Sequence, residues 1–185
     1  MLSDSDIRDL AGRMAIPLAF VDFKTELEND TLQYNKAYII NMEDEFDKDG
    51  ERNGGTHWTC FQVMKYPNGK KEPIYFDSYG KPPPQAVEKF VGQKMPYNHK
   101  DIQSLMGSVC GYFCLAFLHW INHPDGPGRT GHLYTDCESF TDLFEDLEKS
   151  HDHLKNEYVL SHFFRSSDPE MRKKNPVDIL KGKRK

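Results

Sequence analysis

A cysteine opens the most apolar stretch of the chain, at a position that suits a nucleophile. Cys110 and Gly111 begin the run CGYFCLAFLHW, which predicts a buried helix. A thiolate at a helix N-terminus is stabilised by the helix dipole and by backbone N–H groups that lack helical partners. A lone cysteine in such a run is more often an ordinary core residue. Residues elsewhere in the chain must therefore decide whether Cys110 is reactive.

Three further polar residues have the side chains that nucleophilic thiol catalysis requires. Such catalysis needs a base for the thiol proton, a group that orients the base, and donors for the oxyanion. His57 begins a predicted strand, Asp77 ends the next one, and Gln103 precedes Cys110. Each alone has a structural interpretation, as a polar strand end, a turn cap or an ordinary amide. Together, and in this order, they indicate a cysteine hydrolase.

The sequences around these residues resemble those of the adenovirus-type maturation proteases. The similar stretches are GGTHW at His57, YFDSYGKPPP at Asp77 and QSLMGSVCGYFC from Gln103 to Cys114. That family belongs to a clan of cysteine proteases that includes the SUMO- and NEDD8-cleaving enzymes. The versions encoded by virophages, Polinton-like elements and large DNA viruses look most similar. The resemblance extends from the N-terminal region to about Asn122.

The resemblance implies a catalytic role for four residues. His57 is the base, Asp77 orients it, the Gln103 amide lines the oxyanion hole, and Cys110 attacks the substrate. The adenovirus enzyme has Glu at the acid position, so Asp77 is closer to the deSUMOylase pattern. That enzyme also takes an activating peptide through a cysteine between the acid and the glutamine. The interval 77–103 contains no cysteine, so we expect no required cofactor, and the sequence does not support a peptide or DNA activator.

Substrate contacts are expected from two glycines and a tryptophan. Gly55, in the turn before His57, and Gly111 would allow a substrate backbone to approach closely. Family analogy implies cleavage at small residues, especially glycine. Trp58 is expected to shield the imidazole from water, and a plain core tryptophan is equally compatible with the sequence.

Apolar periodicity predicts the elements that position these residues. Ser3 and Asp6 predict a capped N-terminal helix. Strands are predicted over 36–42, 56–66 and 74–78, the last two as a hairpin. Later helices are predicted over 85–92 and 109–122, along the stripe Phe140, Leu143, Phe144 and Leu147, and from Leu154, Tyr158 and Phe163. We therefore expect an α+β fold with a central mixed sheet flanked by helices, and the resemblance implies the adenain-like and Ulp-like protease fold.

The length of 185 residues predicts one domain over 1–185. Within it, 1–122 carries the family resemblance, 123–170 is expected to be helical, and 171–185 is expected to be a flexible basic tail. We expect a monomer. The net charge of −5 argues against bulk binding to nucleic acid or to membranes, although the terminal KGKRK permits a weak nucleic-acid contact.

Composition narrows the compartment and the cofactors. Four cysteines are too few for a disulfide scaffold, and no segment has the roughly 18 apolar residues of a membrane span. We therefore expect a reducing intracellular setting, and the resemblance implies the virion and the infected-cell cytoplasm or virus factory. His119 and His123 share a helix face without an acid at metal-ligand spacing, so no metal is predicted.

The expected function is a cysteine endopeptidase that cleaves viral capsid or core precursor proteins at glycine-containing sites during virion maturation. Two alternatives stay open. One is an isopeptidase on the same scaffold that removes ubiquitin-like modifiers from host proteins, and the same triad also supports acetyl transfer. The other is a non-catalytic virion structural or DNA-associated component with a vestigial triad.

Overall fold

The computed structural model describes most of the chain, namely residues 1–44, 46–51, 57–105, 107–123, 130–175 and 178–181. Within these residues four strands form one sheet in the order β1-β2-β3-β4. They are β1 Leu18–Phe23, β2 Ala37–Asn41, β3 Trp58–Lys65 and β4 Lys71–Phe76. The helices are α1 Asp4–Arg13, α2 Gln85–Val91, α3 Cys110–Asn122, α4 Leu133–Thr141, α5 His153–Ser167 and α6 Pro169–Arg172, with a 3₁₀ helix at Lys24–Asn29. The expectation of an α+β class with a mixed sheet is confirmed.

The sheet is mixed because its first pair of strands is parallel and the others are antiparallel. β1 pairs with β2 in parallel, whereas β2 with β3 and β3 with β4 run antiparallel. The last two strands form the predicted hairpin, and β4 begins earlier than expected, at Lys71. Pro73 lacks a backbone N–H and is tolerated because β4 lies at the edge of the sheet. This hairpin brings the start of β3 beside the end of β4.

Helix α3 lies in the centre of the core. A helix that is apolar on all sides must be buried, and nearly every α3 side chain is buried. The Phe117 ring stacks on Phe76 of β4 with 4.6 Å between centroids, which fixes the helix against the sheet. The opposite face of the sheet buries Tyr38 and Phe61 under Val87 of α2. Alternate residues of the strands therefore point to opposite faces of the sheet and are buried in two separate apolar clusters.

Helix α1 packs against α3, and its start is determined by residues close together in the sequence. The Ser3 side chain accepts from the Asp6 backbone N–H, and the Asp6 carboxylate accepts from the Ser3 N–H, which is the predicted capping box. Ile7, Leu10 and Ala11 of α1 are buried in the same cluster as α3. The N-terminal segment therefore packs directly against the helix that carries Cys110.

The region after α3 departs from the predicted helical stripe. Helix α4 ends at Thr141, so Leu143, Phe144 and Leu147 lie beyond it. The Glu145 N–H donates to Asn156 Oδ1, and the Leu147 N–H donates to Asp101 O. Because these amides bond to distant partners, they cannot continue the helix. The prediction of one helical stripe from Phe140 to Leu147 was wrong.

The predicted C-terminal helix is present as α5, and two of the three residues that predicted it lie on its exposed side. Leu154 and Tyr158 of α5 are exposed, whereas Asn156, Leu160 and Phe164 are buried. Met171 and Ile179, inside the segment expected to be a basic tail, are buried in the same core, and 182–185 lie outside the described residues. Among the helices that the structure describes, none is both long and apolar enough to cross a membrane.

Candidate active site

The hairpin brings the predicted base and acid into direct contact. His57 immediately precedes β3 and Asp77 immediately follows β4, so antiparallel pairing places them at the same end of the sheet. His57 Nε2 lies 2.8 Å from Asp77 Oδ1. The side chain of His57 is 14% exposed and that of Asp77 is 2% exposed. A charge-assisted bond of this length between enclosed groups fixes the orientation of the imidazole.

Asp77 is itself held by backbone and amide contacts. Its Oδ1 also accepts from the Tyr79 backbone N–H at 2.8 Å. The buried Asn98 side chain accepts from the Asp77 N–H at 2.9 Å and donates to the Asp77 carbonyl at 2.6 Å. These bonds fix both the carboxylate and the backbone of Asp77, so the acid cannot turn away from His57.

The other nitrogen of the His57 ring is available for proton transfer. His57 Nδ1 is buried and has no hydrogen-bond partner among the described residues. Burial disfavours the charged ring, but the hydrogen bond and charge of Asp77, together with the nearby Cys110, outweigh it and raise the pKa of His57 from 6.5 to about 9. An imidazolium that persists to that pH is the natural counter-ion for a thiolate. The ring therefore has the electrostatic setting of a base that can keep the proton it accepts.

Cys110 begins α3 and lies against the residue that follows His57. Its Sγ accepts from the Trp58 backbone N–H at 3.4 Å. Val109 precedes the helix without providing a side-chain cap, so the first-turn N–H groups are not satisfied by the residue that usually caps them. Both features favour negative charge on sulfur. Cys110 itself is buried, with 1% of its surface exposed.

The Gln103 amide is held by three contacts near the base. Its Oε1 accepts from Ser78 Oγ at 2.7 Å, and its Nε2 donates to Gly107 O at 3.0 Å and to Tyr79 OH at 3.3 Å. A carboxamide has two N–H hydrogens, and both are engaged in this state. For the amide to bind an oxyanion, the longer contact to Tyr79 must be given up. Gln103 is therefore pre-oriented but not free.

Of the three residues expected to contact substrate, Gly111 and Trp58 pack against the N-terminal segment. Gly55 lies outside the described residues. A Cβ at Gly111 would lie 3.2 Å from Leu2 Cδ1 and 3.5 Å from Trp58 Cδ1. The space beside Gly111 is thus filled by Leu2, so this glycine makes room for the N-terminal segment. Trp58 is buried, and its Nε1 donates to Leu2 O at 3.0 Å.

Sequence reasoning missed three residues of the site. Tyr79, and not Trp58, stacks on the His57 ring, with 4.5 Å between centroids and 26° between planes. Ser78 orients Gln103, and Asn98 holds Asp77. The hairpin register could have revealed Tyr79. Continuing the antiparallel pairing of Cys60 with Phe76 toward the start of β3 places Tyr79 opposite His57. Nothing local marks Asn98, which acts through a contact distant in sequence.

The remaining cysteines are packing residues. Cys60, Cys114 and Cys137 are free and buried. Cys114 Sγ donates to Trp58 O at 3.4 Å, and burial raises the pKa of the Cys114 and Cys137 thiols well above the ordinary value. All three can therefore serve as buried internal references for Cys110 in thiol-modification experiments. In the described part of the chain, no group of three or more His, Cys, Asp or Glu side chains is arranged to hold a metal ion.

Comparison with protein-family models and with curated proteins finds no match to this chain. The functional assignment therefore rests on the geometry around His57, Asp77 and Cys110, together with the short motifs that contain them.

Proposed function

We propose that the chain is a cysteine endopeptidase in which Cys110 is the nucleophile. One observation carries the proposal: the His57 ring is bound through Nε2 to the buried Asp77, while its pKa is raised by both Asp77 and Cys110. A base oriented by a carboxylate beside a helix-terminal thiol is the arrangement that thiol catalysis needs. A purely structural His–Asp pair would not require a thiol at the same ring.

Transfer of the thiol proton from Cys110 to His57 Nδ1 gives a thiolate–imidazolium pair, which is the resting state at neutral pH because the pKa of His57 is raised to about 9. The thiolate attacks the carbonyl carbon of a peptide bond, and the backbone N–H of Cys110 and the Gln103 amide bind the oxyanion. The His57 imidazolium then gives its proton to the leaving amine, and a thioester remains on Cys110. A water molecule, deprotonated by His57, hydrolyses the thioester, releases the acid and restores the thiolate–imidazolium pair. Asp77 stays ionised throughout and stabilises the imidazolium.

The substrates proposed are viral capsid or core precursor proteins cut at glycine-containing sites during virion maturation. The support for this class is the resemblance of the motifs around His57, Asp77 and Cys110 to the adenovirus-type proteases. Association with virions and with the infected-cell cytoplasm is part of the same proposal.

A peptide library derived from a digested proteome tests the activity without a known substrate. We expect new peptide termini, read by mass spectrometry, with the unmodified chain and none with Cys110→Ala. Cys114→Ala is the matched control, because Cys114 lies on the same helix without touching His57 in the described contacts. It should retain cleavage.

Other outcomes would replace the proposal. Cleavage only of ubiquitin or SUMO C-terminal amide conjugates, dependent on Cys110, would make the chain an isopeptidase. Cleavage that persists in Cys110→Ala would show another nucleophile. No cleavage of either class, with Cys110 inert toward thiol reagents, would leave a non-catalytic component.

A further inference from the structure

Tyr79 contacts three of the four proposed catalytic residues. Its ring stacks on His57 with 4.5 Å between centroids and 26° between planes. Its backbone N–H donates to Asp77 Oδ1 at 2.8 Å, the same oxygen that bonds to His57 Nε2. Its hydroxyl accepts from Gln103 Nε2 at 3.3 Å. No other described residue joins the base, the acid and the amide in this way.

We propose that Tyr79 is a positioning residue, whose aromatic ring holds the His57 imidazole in its working orientation through face-to-face stacking. The proposal rests on the proposed function, because it assigns Tyr79 a part in the same reaction. Asp77 holds one edge of the imidazole, and the Tyr79 ring covers one face. Rotation of the imidazole about its attachment would have to break both contacts.

The direction of the Tyr79 ring is set by the turn after β4. Gly80 has a φ of +69°, and a Cβ there would lie 2.7 Å from His99 O. The Gly80 N–H donates to Asp77 O at 2.8 Å, and the Ile102 N–H donates to Ser78 O at 2.9 Å. Only glycine satisfies this backbone and this close approach. The turn is therefore pinned on both sides, and its one large side chain faces His57.

An aromatic face also suits the charge that His57 carries during the reaction. The face of a phenol ring is the negative end of its quadrupole, so it attracts a cation placed over it. Stacking against the imidazolium should favour the charged ring and keep water from one side of it. The hydroxyl is not needed for this effect. The contact with Gln103 is the longest of the three that hold that amide, and the amide keeps Ser78 and Gly107 as partners.

Two variants distinguish the effect of the aromatic ring from the effects of the hydroxyl and of apolar volume. Tyr79→Phe keeps the aromatic face, and Tyr79→Leu keeps apolar volume without it. The first readout is the titration of the His57 ring by NMR, which needs no substrate. We expect Tyr79→Phe to titrate as the unmodified chain does, and Tyr79→Leu to titrate at lower pH by about 0.5 to 1 pH unit, as the loss of one aromatic pair predicts.

The second readout is peptide cleavage. Tyr79→Phe should retain kcat within about twofold, whereas Tyr79→Leu should lower kcat about three- to tenfold with KM unchanged. Thermal unfolding of both variants checks that the fold is retained. A normal His57 titration and kcat in Tyr79→Leu would overturn the proposal. So would equal damage from both variants, since that would assign the effect to the hydroxyl.

Failure of the proposed function is distinguishable from failure of this inference. If the chain cleaves no peptide but Tyr79→Leu still lowers the His57 titration while Tyr79→Phe does not, the positioning contact stands and the reaction is different. If the chain cleaves peptides and Tyr79→Leu changes neither readout, the reaction stands and Tyr79 has no positioning role.

Discussion

Replacement of Asp77 by Asn tests the electrostatics of the site through one measurable group. The pKa of His57 is raised from 6.5 to about 9, although burial of the ring acts in the opposite direction. A shift from 6.5 to about 9 corresponds to a roughly 300-fold change in the protonation equilibrium of the ring. The carboxylate of Asp77 supplies both a hydrogen bond and a charge to this shift. The substitution Asp77→Asn keeps the shape of the side chain but removes its charge.

The pKa of His57 should fall in Asp77→Asn, because the carboxylate raises it and burial of the ring lowers it. In Asp77→Asn the burial of the ring is opposed by Cys110 alone and no longer by a carboxylate, so we expect the pKa of His57 to fall well below 9. The proposed thiolate of Cys110 would then lack a protonated imidazole beside it near neutral pH. Peptide cleavage should fall by on the order of 10⁴, the loss known when the acid of a triad becomes an amide.

Ring-proton NMR over pH 5 to 10.5 measures the change directly. The chain has eight histidines, and His57→Gln identifies the resonance of interest. Asp142→Asn is the matched control, because Asp142 is an exposed acid that pairs with Lys100. The control should leave the His57 titration unchanged. A His57 that titrates near 6.5 in the unmodified chain, or one that still titrates near 9 in Asp77→Asn, would show that Asp77 does not raise the pKa of the ring.

Three further predictions concern the oxyanion donor, the N-terminal packing and pH-dependent stability. Gln103→Ala should lower kcat by about 10²–10³ and leave iodoacetamide alkylation of the nucleophile unchanged; an equal loss in both assays would contradict an oxyanion role. Gly111→Ala should lower the free energy of unfolding by about 1 kcal/mol, because the new Cβ crowds Leu2. Adding Leu2→Ala to the same chain should remove the crowding. A rise in KM without loss of stability would instead indicate a substrate contact at Gly111. The raised pKa of His57 contributes stability that is fully present below pH 6.5 and is lost as pH rises through about 9, so denaturant unfolding should show a decline over that window that Asp77→Asn lacks.

Local patterns were sufficient for the elements that carry the site. The alternation in β3 and β4 and the hairpin between them are short-range features, and so is the Ser3–Asp6 capping box of α1. The uniformly apolar α3 indicates its own burial. These elements alone place His57 beside Asp77, which explains why residues chosen by type and order turned out to be in contact.

Long-range pairing accounts for what the sequence could not predict. β1 was missed because it is stabilised by parallel pairing with β2 across the 3₁₀ helix, and such pairing leaves little trace in six residues. The segment after α4 is held out of a helix by Asn156 and Asp101, which accept from the Glu145 and Leu147 amides. Asn98 contacts Asp77 from 21 positions away. Each of these depends on the assembled fold.

Alkylation at pH 6 shows whether His57 activates Cys110, on which the proposed function depends. The native chain is treated with iodoacetamide, and each modified cysteine is identified by peptide mass, with Cys60, Cys114 and Cys137 as buried internal references. A free thiol is mostly protonated at this pH, so rapid modification requires an ion pair. We predict that Cys110 alone reacts, and that His57→Ala slows its alkylation at least about tenfold. A Cys110 that stays as inert as the other three, or that reacts equally fast without His57, would contradict this prediction.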